Sequence, residues 1–148
     1  MNRPKRSSKP NFLSLARSFS SSSERTAIAN TTIECSDLIY SIIQEGRIQE
    51  DELCYSARVA GTLAAKNAGQ WIPYCHTTTI DTLTIEFSWD AHTLLIQASI
   101  KAKATNSLDT LAMAAVSTAA LTIFDVCKEY DKGIVIGPTY LSRKSDDA

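Results

Sequence analysis

Two runs of strict two-residue alternation, separated by a short break, constrain this chain more than any other feature. Leu83, Ile85, Phe87 and Trp89 alternate with Thr82, Thr84, Glu86 and Ser88. After Asp90, Ala91 and His92 the pattern resumes with Leu94, Ile96, Ala98, Ile100 and Ala102. Successive side chains on a strand point to opposite faces, so the pattern predicts an antiparallel hairpin with one face to bury.

The rest of the chain supplies the cover. Ser36 precedes Asp37, Leu38, Ile39, Ile42 and Ile43, and Gly46 follows. That order predicts a short amphipathic helix with a serine cap and a glycine stop. A second helix is expected to start at Asp51, with Glu52 in its first turn, and to end at Asn67 and Gly69. Its apolar face, Leu53, Ala57, Ala60 and Ala64 with Gly61, is made mostly of small residues and suits a close approach to another surface. A third helix is predicted over 108–130, capped by Ser107, with Leu108, Leu111, Ala112, Ala115, Ala119, Ile123 and Cys127 along its stripe. Residues 24–34 read as a leading strand. Residues 134–136 read as a closing one that runs through Gly137 and Pro138 to Tyr140 and Leu141. A hairpin with one apolar face and helices to cover it is an α+β domain with a mainly antiparallel sheet and helices on one face.

At 148 residues the chain suits one domain over 24–148. Residues 1–23 differ in character: Arg3, Lys5, Arg6, Lys9 and Arg17, no acidic residue, and serines at 20–23. A flexible basic tail and a mitochondrial transit peptide share that composition, and the missing amphipathic stripe favours the tail. The expected compartment is therefore the cytoplasm, with the mitochondrial matrix as the alternative. A net charge of −1 excludes broad electrostatic binding of nucleic acid. No uninterrupted apolar run approaches the roughly 20 residues that span a bilayer, so no membrane partner is expected. Cys35, Cys54, Cys75 and Cys127 form no C-x-x-C pair, which argues against a metal cage and for reduced thiols.

Chemistry could reside in two places. His76 follows Trp71, Ile72, Pro73, Tyr74 and Cys75 between a helix and a strand. It could act on a ligand or merely satisfy nearby backbone. A Cys75–His76 nucleophile pair is geometrically poor, because neighbours in extended chain point apart. Asp125 and Lys128 share a helix face, as an ordinary surface ion pair or as part of a site for a phosphorylated ligand.

In order along the chain, ARVAGTLAAK at 57–66, IPYCH at 72–76, AALTIFDVCK at 119–128 and DKGIVIG at 131–137 resemble the MoaC family of cyclic pyranopterin monophosphate synthases. The resemblance runs from about residue 25 to 144. It implies a ferredoxin-like α+β fold, a hexamer built as a trimer of dimers, and active sites at subunit interfaces. It also implies conversion of a 3′,8-cyclised dihydro-GTP to cyclic pyranopterin monophosphate with release of pyrophosphate, using no metal or organic cofactor. By position it assigns catalysis to Asp125, Lys128 and His76. Substrate contact falls to Tyr74, Cys75, His76, Asp109, Thr110, Leu111 and Lys144, and Lys66 matches a helix lysine of unassigned role. The chain departs from the pattern in four places. Glu50 stands where the family has a lysine, and Leu111 where it has a second glutamate. Ala16 stands where it has an aspartate, and Asp146 and Asp147 replace the glycines of its C-terminal segment. Those departures make a catalytically impaired binding or assembly protein the alternative reading.

Overall fold

The computed structural model describes residues 22–142. Lys144, Ala16, Asp146, Asp147 and the basic segment up to residue 21 lie outside them. The elements follow in the order β1 (Ser23–Glu34), α1 (Asp37–Gln44), α2 (Glu50–Trp71), β2 (Thr82–Asp90), β3 (Thr93–Ala104), α3 (Asp109–Cys127), β4 (Val135–Ile136) and β5 (Tyr140–Leu141).

The strands form one antiparallel sheet in the order β2-β3-β1-β4, with β5 also on β1. The predicted hairpin forms one side of it, with β2 at the edge and β3 inside. Leu83 pairs with Ile100, Ile85 with Ala98, Phe87 with Ile96 and Trp89 with Leu94, so both alternations share a face. On the other side of β3, Ile33 meets Leu94 and Ala27 meets Ile100. The hairpin turn is tighter than the sequence suggested: Asp90 pairs with Thr93, leaving Ala91 and His92 to reverse the chain, with Ala91 at φ 52.

Both long helices lie over the apolar face, and α3 packs on β1, β3 and α2. By length and composition α3 could cross a membrane, although its apolar residues are interrupted by Asp109, Ser117, Thr118 and Asp125. Here it is a core helix, with Ala112, Ala115, Val116, Ala119 and Ile123 buried. The small residues of α2 turn inward. A Cβ on Gly61 would lie 2.7 Å from the Ala115 carbonyl oxygen and 2.7 Å from Ile85 Cδ1. Gly61 thus sets the closest approach of the two helices, and the surface that this face approaches is α3.

The boundaries of both long helices differ from expectation, and α3 runs only from Asp109 to Cys127, between Leu108 and Lys128 as caps. The cap of α2 is Gln49, and helical structure begins at Glu50, so Asp51 is already inside the first turn. Its far end passes through Asn67 and Gly69 to Trp71. Gly69 serves a different purpose from a stop. A Cβ there would meet Thr77 Oγ1 at 2.6 Å and Thr77 N at 3.0 Å, so its bare backbone admits the returning chain. Ser36 caps α1 as predicted, accepting from Ile39 N at 3.2 Å.

Candidate active site

Gly61 packs on Ala115 and Ala119, while the start of α2 (Glu52, Leu53, Ser56) shares a concavity with Val126, Glu129 and Tyr130 near the end of α3. The two helices are therefore antiparallel, and each end of the pair gathers a different set of polar residues.

At one end α2 finishes at Trp71, and a turn closed by Cys75 N donating to Ile72 O at 3.0 Å leads to His76. The turn holds Tyr74 almost fully in solvent, at 95% exposure, and His76 is exposed beside it. The Cys75 thiol lies 3.8 Å from the His76 carbonyl oxygen and not on its ring, so the two do not form a catalytic pair. Asp109 and Thr110 open α3 at this same end; its cap is Leu108 instead of the expected Ser107, whose hydroxyl accepts from Asp109 N at 3.1 Å. Leu111 does not join them. It is 2% exposed and belongs to the core, because it follows the inward stripe of α3, and this corrects its assignment to substrate contact.

At the other end, Lys128 Nζ lies 2.7 Å from Asp125 Oδ1 on an exposed part of the helix. The hydrogen bond and charge of Asp125 hold the Lys128 ammonium above its usual pKa, so Lys128 rests as a cation. Next to it, the concavity of about 440 Å³ is lined by Arg47, Glu52, Ser56, Val126, Glu129 and Tyr130. Asp131 is structural: its carboxylate accepts from the Ser36 hydroxyl and from Gly133 N, which hold it below its usual pKa and tie the end of α3 to the cap of α1. Glu50 begins α2 here and accepts a hydrogen bond from Trp89 Nε1. Sequence reasoning overlooked this contact, whose partners lie 39 residues apart along the chain.

Asp109 and Asp125 are 16 residues apart on one helix, which separates the two ends by about 24 Å at 1.5 Å per residue. The His76 loop and the Asp125–Lys128 pair therefore lie apart, at opposite ends of the helix pair. Lys66 is exposed on the second half of α2. A second concavity of about 280 Å³ lies on the open face of the sheet, where Asn30, Glu86, Gln97 and Tyr140 meet. Among the described residues no group of three or more histidines, cysteines and carboxylates could hold a metal ion.

Antiparallel sheet and one-sided helical cover define an α+β, ferredoxin-like domain, with polar residues gathered at both ends of its helix pair. The MoaC family model matches residues 18–146, and the chain belongs to the MoaC family. It is 43% identical to the cyclic pyranopterin monophosphate synthase of Halalkalibacterium halodurans over 82% of this chain and 76% of that protein. The proteins of the same name from Geobacillus thermodenitrificans and Bacillus subtilis are 39% and 37% identical, over 82% and 84% of this chain and 77% and 76% of their own lengths.

Proposed function

We propose that this chain is a cyclic pyranopterin monophosphate synthase of molybdenum cofactor biosynthesis. It converts the 3′,8-cyclised dihydro-GTP to cyclic pyranopterin monophosphate and releases pyrophosphate. The observation that carries this reading is the Asp125–Lys128 pair, intact at 2.7 Å on a helix that falls within the family match. Lys128, kept charged by its partner, meets the substrate as a cation, suited to phosphate oxygens and to negative charge that develops on them. Asp125 is the base within reach of it, and His76 with Tyr74 and Asp109 serves the purine-derived part of the substrate.

The separation of the His76 loop from the Asp125–Lys128 pair supports a composite site. Two copies with their helix pairs reversed would set His76 of one near Asp125 of the other, and the trimer of such dimers is the proposed hexamer. Cytoplasmic residence is the compartment we assign, with the mitochondrial matrix as the alternative. Glu50 and the buried Leu111 favour a silent binding or assembly protein. The similarity across most of the chain to proteins named as synthases weighs more heavily.

The test is direct. Purified chain given the cyclised GTP should release pyrophosphate, and Asp125→Ala should lower turnover by about 10²–10⁴-fold with unchanged circular dichroism. A chain that releases none refutes the synthase reading.

A further inference from the structure

The concavity beside the Asp125–Lys128 pair contains one cation. Arg47 sits on the short connection between α1 and α2, whose backbone is held by Arg47 N donating to Ile42 O at 3.0 Å and Gly46 N to Ile43 O at 3.1 Å. Its guanidinium lies over the Tyr130 ring, 5.9 Å from the centroid, which aims the side chain across the opening toward the end of α3. Among the described residues it makes no ion pair. Two other cations of these helices, Arg58 and Lys128, are committed. Arg58 donates to the Ile85 carbonyl at 3.0 Å and lies 5.3 Å from the centre of the Phe87 ring, on the sheet. Lys128 is held by Asp125. The remaining charges of the lining are the carboxylates Glu52 and Glu129.

Resting on the synthase reading, we infer that Arg47 is a substrate-binding residue of this chain: it anchors the phosphate arm, a contact that Glu50 cannot make. A phosphate that enters this concavity meets two carboxylates and one guanidinium. Its affinity therefore depends on a direct, forked contact with Arg47 rather than on a general positive field. Glu50 adds no opposing charge inside the opening. It is not among the lining residues, and its carboxylate is engaged by Trp89 on β2.

The experiment uses the full chain and two readouts, calorimetric titration with inorganic pyrophosphate and steady-state turnover of the cyclised GTP. Arg47→Ala should weaken pyrophosphate binding and raise KM by roughly 10–100-fold, the usual range for a hydrogen bond to a charged group. Arg47→Lys should recover part of the loss, and Glu52→Gln should tighten binding. Arg47 is exposed, so melting temperatures should stay with the parent. Pyrophosphate affinity within twofold of the parent in Arg47→Ala would overturn the inference. A parent that binds pyrophosphate through Arg47 yet turns nothing over would sink the synthase reading and leave the anion contact standing.

Discussion

The indole N–H of Trp89 donates a hydrogen bond to the carboxylate of Glu50. The bond joins the first residue of α2 to the end of β2. It continues into an aromatic cluster: Tyr40 meets Trp89 edge-on at 5.4 Å and stacks on His92 at 4.2 Å, and His92 Nδ1 lies 2.9 Å from Asp37. A residue that looks like a lost catalytic lysine in the sequence is thus a structural tether in this chain. Its charge also suits the start of a helix.

Glu50→Lys removes the tether and places a cation at the helix N-terminus. The expected loss is about 1–3 kcal/mol of stability, combining a charged hydrogen bond with an unfavourable dipole contact. Turnover should rise, since the change adds a cation beside the Arg47 concavity. A melting temperature equal to that of the parent would show that the tether contributes nothing.

Leu111→Glu would restore the family residue type and should fail as a repair. The site is 2% exposed, so the new carboxylate would be buried without a partner. We expect a loss on the order of 3 kcal/mol or more, read as a collapse of the urea midpoint. Leu111→Met, of similar volume, should cost less than about 1.5 kcal/mol. If the glutamate variant were as stable as the parent, the inward orientation of Leu111 would be wrong.

Gly61→Ala tests the helix pair. One added methyl would press on the Ala115 backbone, which cannot move aside as a side chain could. Overpacking of this kind typically costs about 1–3 kcal/mol, against a gain of about 1 kcal/mol from helix propensity. Net destabilisation is expected in chemical denaturation. A more stable variant would mean that the helices separate freely.

Burial pushes the thiols of Cys35 and Cys127 from 9.0 up to about 11, with Cys127 adding to the rise at Cys35. In the unfolded chain they ionise near 9.0, while the folded state still holds the protons. The stability they contribute is therefore complete below pH 9 and is lost as pH rises from about 9 to 11. Thermal melts across that window should fall more steeply in the parent than in Cys35→Ala/Cys127→Ala. Parallel curves would remove burial of these thiols as the cause.

The pairing of β2 with β3, the burial of their shared face and the Ser36 cap were legible in the sequence. Each depends on the order of neighbouring side chains: strand alternation has a period of two, and a cap acts within one helical turn. The Asp125–Lys128 contact is local for the same reason. Contacts between distant parts of the chain belong to the tertiary structure. Only the fold revealed that Gly69 admits Thr77, that Gly61 faces α3, and that Trp89 holds Glu50. It also turned Leu111 into the core and set His76 and Asp125 at opposite ends of one helix pair. Sequence spacing carries no distance between segments that meet only after the chain has folded back on itself, and that distance is what keeps His76 and Asp125 apart.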